Sequence, residues 1–124
     1  MLYTGLDVAT VDREFARSLR RAGLPRGQAR ARRLAGIKIQ LSRVLDLTDV
    51  DVLTSLGLSP TDLLGDDFVM PQRLGSAAHH LGFEAILAPS ATGEGCVLAL
   101  FLDTRAADSV VDVESVDDSY SPVG

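Results

Sequence analysis

The sequence predicts a single α/β or α+β domain in which a small mixed sheet is flanked by helices. Three observations favour this class. Apolar side chains follow three- and four-residue steps near the start of the chain, a two-residue alternation begins at Gly36, and short apolar runs bounded by proline and glycine come later. Short helices and strands mixed in this order are typical of α/β and α+β folds.

The first helix is expected from Val8 to Arg21. A strand end at Leu2-Tyr3 and a turn from Gly5 to Asp7 precede it, and Gly23 and Pro25 end it. Its apolar positions form one stripe of a 3.6-residue helix. That stripe consists of Val8, Val11, Phe15 and Leu19.

A strand and a short helix are expected next. The residues from Ile37 to Leu41 alternate between apolar and polar, which predicts a strand with one buried face. Thr48 is expected to be the N-cap of a helix that ends at Gly57. A further turn of helix is expected from Ser59-Pro60.

The third helix is expected to begin near Pro71 and to end at Gly82. Two apolar strands follow, from Glu84 to Ala88 and from Cys96 to Leu102. The intervening segment, Ala91 to Gly95, contains two glycines and is expected to be a turn.

The last predicted strand covers Val110 to Val113, so the domain is expected to comprise residues 1–113. Residues 114–124 are acidic and contain several serines. Because they offer little apolar surface to bury, we expect this tail to fray.

The composition favours an ordinary globular domain. The chain has 124 residues, of which 46% are hydrophobic and 23% charged. Its single cysteine, Cys96, excludes an internal disulfide, and the beginning of the chain does not resemble a secretory signal. No apolar run approaches the roughly 20 residues that cross a bilayer. We therefore expect a cytoplasmic protein with no membrane role.

The charges are unevenly distributed. Eight arginines and only three acidic residues lie in the first 33 residues, whereas the rest of the chain has four basic and fourteen acidic residues. The basic segment raises the hypothesis of a nucleic-acid-binding module. Its only aromatic residue beyond Tyr3 is Phe15, and the remainder of the chain would repel phosphates. Direct nucleic-acid binding is therefore disfavoured.

Three stretches carry a family resemblance. The first contains Leu2-Tyr3, Thr10 and Glu14; the second is the run Val44–Asp49; the third extends from Gln72 through Gly82–Ile86 to Pro89–Ala91. Together, in this order, they resemble the RES domain family, which is named for an arginine, a glutamate and a serine. The resemblance extends from Leu2 to about Asp103, and no single stretch is specific alone.

This resemblance implies a fold like that of the ADP-ribosyltransferase toxins and a cleft that binds NAD⁺. It further implies cleavage of the nicotinamide–ribose bond, with inorganic phosphate or water as the acceptor. NAD⁺ would then be a substrate, and no cofactor or metal is expected. Members of the family usually pair with a helix-turn-helix antitoxin that blocks the cleft.

Two features depart from the family pattern. The family's arginine lies upstream of the tyrosine strand near a glycine-arginine-tryptophan stretch, whereas this chain starts at Met1 and contains no tryptophan. An asparagine that often enters the last strand is replaced by the run Gly95–Leu98. These departures motivate a second hypothesis, in which the chain is an inactive RES-like remnant that binds a partner such as an antitoxin.

Glu14 and Ser90 are the candidate catalytic residues. Loss of nicotinamide builds positive charge on the ribose, which a carboxylate such as that of Glu14 can stabilise. The alternative is a solvated helix glutamate paired with Arg17 or Arg21. Ser90 follows Pro89 at a strand end and could orient the ribose or a phosphate; the alternative is a turn serine that caps backbone amides.

Tyr3 is the candidate for the nicotinamide pocket, although an aromatic residue at a strand end is more often part of the core. The pyrophosphate of NAD⁺ suits arginine, whose guanidinium can bond two oxygens. Any arginine from Arg26 to Arg33 could take this role, but a solvated face or a surface for an acidic partner is the better explanation of so many arginines.

Overall fold

The computed structural model describes residues 2–23, 32–59 and 69–120. Three expectations concern residues that lie wholly or partly outside these ranges. They are the end of the first helix at Pro25, a role for the arginines at positions 26 and 30, and the turn of helix that begins at Ser59-Pro60. The elements are β1 (Leu2–Gly5), α1 (Val8–Arg21), β2 (Arg32–Gln40), β3 (Val44–Asp46), α2 (Val50–Ser55), α3 (Val69–His80), β4 (Ala85–Pro89), β5 (Cys96–Leu100) and β6 (Val110–Tyr120), with a 3₁₀ turn at Leu102–Thr104.

Four strands form a mixed sheet in the order β1-β5-β4-β3, and β2 and β6 form a separate two-stranded ribbon. β4 is central: it pairs antiparallel with β5 and parallel with β3. β1 extends the sheet as an antiparallel edge strand beside β5. The predicted class, α+β with a small mixed sheet and flanking helices, is confirmed.

Each face of the sheet buries its own apolar cluster, because successive side chains of β4 point to opposite faces. Ala85 belongs to one cluster, with Leu98 and Leu100, and the ribbon residues Ile39 and Val111 pack against it. The opposite cluster contains Ile86, to which α2, α3 and the connecting segments contribute Leu47, Leu53, Ala78 and Phe101.

Helix α1 has the predicted bounds, and the predicted apolar stripe is buried only in part: Leu19 is buried and Val11 and Phe15 are half-buried. Asp7 is its N-cap and accepts a hydrogen bond from the Thr10 amide at 2.7 Å. The buried residues are Thr10, Ala16 and Leu19, whereas Val8, which was expected in the stripe, is 55% exposed. Thr10 is polar although it is buried, because at this point α1 packs against a polar loop rather than against the apolar clusters of the sheet.

The cap of α2 differs from the predicted one. Asp49, not Thr48, is the N-cap, and its carboxylate accepts from the Asp51 amide at 2.9 Å. The Thr48 hydroxyl instead donates to Asp46 Oδ1 at 2.5 Å. Both side chains favour N-caps, so the choice depends on this competing partner.

The ribbon extends further than the sequence predicted. β6 continues from Val110 to Tyr120, and β2 begins at Arg32 rather than Gly36. The expected fraying of the tail therefore does not apply to residues 114–120, while residues 121–124 lie outside the described ranges. Backbone pairing with β2 explains the difference, since the ladder needs no apolar side chains on its exposed faces.

A buried carboxylate connects three segments of the chain. Glu84, just before β4, is only 2% exposed. Its Oε2 accepts hydrogen bonds from the amides of Ser42 and Arg43, at 2.7 and 2.9 Å, just before β3. Its Oε1 accepts from the Ala106 amide at 2.6 Å and from the Ser109 hydroxyl, in the segment before β6.

These donors lower the pKa of Glu84 from 4.5 to about 2, and the Ser109 hydroxyl is the largest cause, followed by the Ala106 amide. All the donors favour the ionised form, and together they outweigh the desolvation that opposes it. The sequence pattern indicates Glu84 only as the first residue of a strand.

Replacing Glu84 by glutamine is expected to lower the free energy of unfolding by about 2–3 kcal/mol, because the amide NH₂ would face N–H or O–H donors. Urea unfolding followed by circular dichroism measures this. The matched control is Glu114→Gln on exposed β6, which should change stability by less than about 0.5 kcal/mol. Equal effects of the two substitutions would contradict the anchoring role of Glu84.

The same carboxylate predicts a pH dependence of stability. Because the pKa of Glu84 is depressed in the folded state, its contribution is complete above about pH 4.5 and is lost as the pH falls towards 2. The stability difference between the wild type and Glu84→Gln should therefore shrink over this interval. Urea unfolding at a series of pH values measures it, and a constant difference would contradict the assignment.

Candidate active site

Glu14 and Ser90, 76 residues apart in sequence, meet in the structure. Ser90 directly follows β4, and Glu14 lies in the middle of α1. The Ser90 hydroxyl donates a hydrogen bond to Glu14 Oε1 at 2.5 Å. Ser90 is completely buried and Glu14 is half-buried. The two predicted catalytic residues therefore form one polar pair between a helix and a strand end.

The loop that carries Ser90, residues 90–95, is closed by its own backbone. The Ser90 amide donates to the Gly95 carbonyl at 2.9 Å, and the Gly93 amide donates to the Ser90 carbonyl at 3.0 Å. Gly93 and Gly95 have φ values of +92° and +79°, which L-residues rarely adopt. The predicted glycine-containing turn is thus a tight loop that presents the serine at a defined position.

Thr92 also contacts Ser90. Its hydroxyl lies 2.7 Å from Ser90 Oγ, and its amide donates to the same oxygen at 3.2 Å. The Thr92 hydroxyl has a longer contact, 3.4 Å, with the Glu94 carbonyl. No sequence pattern indicated a role for Thr92, because its contact with Ser90 depends on how the loop closes.

Helix α1 and the loop approach each other at Gly95. A Cβ added to Gly95 would collide with the Thr10 hydroxyl and would lie 3.0 Å from Arg13 Nη2. Thr10 is completely buried here. Only glycine leaves room for this contact, which brings α1 close enough for Glu14 to reach Ser90.

Arg13, adjacent to Glu14, holds the loop from the helix side. Its Nη2 donates to the Glu94 carbonyl at 3.2 Å and to Thr10 Oγ1 at 3.4 Å, and its Nη1 lies 3.6 Å from the Glu94 carboxylate. Within the described residues its Nε is buried and has no hydrogen-bond partner. In the sequence Arg13 is one of eight arginines in the basic first segment, and no motif indicates that it belongs to the site.

Tyr3 lies on the edge strand β1 and is 74% exposed. It shares a face of the strand with Gly5, where an added Cβ would meet the Val11 side chain of α1 at 2.9 Å. The ring is therefore on the side of β1 on which α1 packs, but it is not part of the Glu14–Ser90 hydrogen-bond network. An aromatic core position, the alternative considered for Tyr3, does not agree with this exposure.

The chemistry available at this site is that of a carboxylate with one oxygen held by a buried hydroxyl. Such a group is suited to stabilising positive charge that develops on a neighbouring atom, since little reorganisation is needed during the reaction. Among the described residues, no group of three or more His, Cys, Asp and Glu side chains could hold a metal ion. In the same part of the chain, no helix is long and apolar enough to cross a membrane.

Comparison with known proteins identifies relatives of this chain. Residues 1–121 match the family described as the RES domain. The chain is 43% identical over 72 residues to a probable NAD(+) phosphorylase of Mycobacterium tuberculosis, a segment that is 57% of this chain and 34% of that protein. It is 37% identical over 71 residues to the NAD(+) phosphorylase MbcT of Mycobacterium bovis, covering 57% of this chain and 38% of that protein.

A solved structure is similar over nearly the whole chain. It is the crystal structure of the M. tuberculosis MbcT–MbcA toxin–antitoxin complex, which matches with a TM-score of 0.82 and 26% sequence identity. The match covers 98% of this chain and 66% of the other chain. The sequence segments matched in the curated relatives are shorter, little more than a third of each relative's length.

The contact at Gly95 predicts a difference between two substitutions in one loop. Gly93→Ala places alanine at positive φ with no atom within 4 Å of the new Cβ, so it should cost only about 1–2 kcal/mol. Gly95→Ala adds a collision with Thr10 and should cost roughly 1–3 kcal/mol more. Thermal or urea unfolding of the two variants measures the difference; equal losses would contradict the close approach of α1.

Proposed function

Because the chain belongs to the RES domain family, we propose that its Glu14–Ser90 site cleaves the bond between nicotinamide and ribose in NAD⁺. In this proposal inorganic phosphate accepts the ADP-ribosyl group, as the names of the relatives, NAD(+) phosphorylases, suggest. The reaction would deplete NAD⁺, so the protein would act as a toxin. NAD⁺ is a metabolite of the cytoplasm, and the proposal includes action there.

The observation that carries the proposal is the 2.5 Å hydrogen bond from Ser90 to Glu14. Cleavage of an N-glycosidic bond passes through a transition state in which the ribose carries positive charge. A carboxylate beside that ring interacts more strongly with the transition state than with the substrate, and this difference lowers the barrier. The Ser90 hydroxyl holds the carboxylate in one orientation.

The bond between the nicotinamide nitrogen and ribose C1′ breaks, and its electron pair stays on nicotinamide, which leaves neutral. The positive charge on the ribose is stabilised by the Glu14 carboxylate. A phosphate oxygen then forms a bond to C1′, which yields the 1-phosphate of ADP-ribose. Water in place of phosphate would give ADP-ribose and a proton.

In this proposal Tyr3 contacts the nicotinamide ring and takes no part in stabilising the charge on the ribose. Its ring is exposed on the face of β1 on which α1 packs, so it offers a flat surface for the nicotinamide ring. Such stacking would orient the leaving group without any contact to Glu14 or Ser90.

The partner proposed for this protein is an antitoxin that covers the site. The support is the likeness to a chain of a toxin–antitoxin complex, with a TM-score of 0.82. The finer expectation, that this antitoxin contains a helix-turn-helix domain, stays a part of the proposal. Co-purification from cells in which this chain and the product of a neighbouring gene are expressed together would identify it.

We expect purified protein to consume NAD⁺ and to release nicotinamide in a reaction that requires phosphate. Glu14→Gln should lower kcat by about 100-fold or more, which corresponds to ~2.7 kcal/mol or more of lost transition-state stabilisation. Chromatographic quantification of nicotinamide and of the ADP-ribosyl product, with and without phosphate, measures both.

Glu114→Gln is the control, since it makes the same chemical change on exposed β6. Its kcat should remain within about twofold of the wild type, a change worth less than ~0.5 kcal/mol. A folded wild-type chain that leaves NAD⁺ intact would overturn the proposed activity and favour the alternative, a RES-like protein that only binds a partner. Activity without phosphate would instead indicate hydrolysis.

A further inference from the structure

The hydroxyl of Ser90 has three neighbours, which together use all of its hydrogen-bonding capacity. Glu14 Oε1 lies 2.5 Å from Ser90 Oγ, the Thr92 hydroxyl 2.7 Å and the Thr92 amide 3.2 Å. A hydroxyl has one proton to donate and two lone pairs that accept. The direction of each bond can therefore be assigned by elimination.

An ionised carboxylate only accepts, so the Ser90 proton must point to Glu14. The Thr92 amide only donates, so it occupies one lone pair of Ser90 Oγ. The Thr92 hydroxyl must then donate to the second lone pair, since Ser90 has no proton left for it. Its alternative acceptor, the Glu94 carbonyl, is more distant at 3.4 Å.

We propose that Thr92 is a positioning residue whose hydroxyl and amide fix Ser90 as a hydrogen-bond donor to Glu14. This inference rests on the proposed function for its effect on catalysis. It also assigns the role of Ser90: with both lone pairs occupied, Ser90 orients the carboxylate and does not attack the substrate. Thr92 acts only through Ser90 and needs no contact with NAD⁺.

The loop does not depend on the Thr92 hydroxyl for its shape. Its closure is made by the backbone bonds from Ser90 to Gly95 and from Gly93 to Ser90. Thr92→Val has nearly the same shape as threonine, retains the amide donor and removes only the hydroxyl. Thr92→Ser retains both donors. The two variants therefore separate the hydrogen bond from the fold of the loop.

The first test measures steady-state NAD⁺ cleavage by these variants. Thr92→Val should lower kcat about 5- to 10-fold, the effect of one lost hydrogen bond, with KM unchanged. Thr92→Ser should remain within about twofold of the wild type. Thr104→Val is the matched control, since the Thr104 hydroxyl donates to the Phe83 carbonyl at 2.8 Å, lies 3.2 Å from the Phe101 carbonyl and touches neither Glu14 nor Ser90. Its kcat should not change.

A double-mutant cycle tests whether Thr92 acts through Ser90. In a Ser90→Ala background, Thr92→Val should have no further effect on kcat, because the hydroxyl that Thr92 orients is absent. Independent, multiplicative losses would overturn the proposal, as would a kcat of Thr92→Val equal to that of the wild type.

A second measurement does not require activity. Ser90 should occupy a single χ1 rotamer in the wild type and in Thr92→Ser, and several rotamers in Thr92→Val; three-bond Hα–Hβ couplings from NMR report this. A chain that does not cleave NAD⁺ but shows this pattern would overturn the proposed function and leave the role of Thr92 supported. A single Ser90 rotamer in Thr92→Val would overturn the role of Thr92, whatever the activity.

Discussion

The arrangement of the sheet depends on the hydrogen bonds that the buried carboxylate of Glu84 accepts. A carboxylate removed from water is stable only when hydrogen-bond donors replace the solvent. Here the donors come from the residues just before β3 and from the segment before β6, so one side chain connects both segments to the residue that precedes β4. The bonds favour the ionised form and hold the pKa of Glu84 at about 2. These hydrogen bonds therefore fix the position at which the central strand, β4, begins.

The candidate site lies at the other end of β4, where Ser90 follows the strand. Ala85 and Ile86 bury against different apolar clusters, so a shift of one residue would move each side chain to the wrong face. Ser90 therefore leaves the strand at a defined position. Glu14 lies on α1, whose approach is set by the contacts of Thr10 and Arg13 with the loop that carries Ser90. The Glu14–Ser90 pair therefore forms between a helix and a strand end that are both held by further contacts, which keeps the pair preorganised.

Local signals predicted much of the fold. The bounds of α1 follow from its apolar steps and from Gly23, which adopts φ of +74° after the helix. The α+β class follows from the change of period along the chain. Thr48 could not be distinguished from Asp49 as a cap, because a partner of Thr48 decided the outcome. The extent of β6 was missed because pairing with β2 stabilises residues whose composition alone favours disorder.

For the site, the sequence by itself determined which residues to consider: Glu14 and Ser90 were named from motifs that resemble the RES domain family. The tertiary structure decided that these two residues are in contact. It also decided which groups Arg13, Thr92 and Glu84 contact. The physical reason is one of range. Helix periods, caps and turns depend on neighbours within a few residues, whereas desolvation and hydrogen bonding between segments as distant as 76 residues depend on how the whole chain packs.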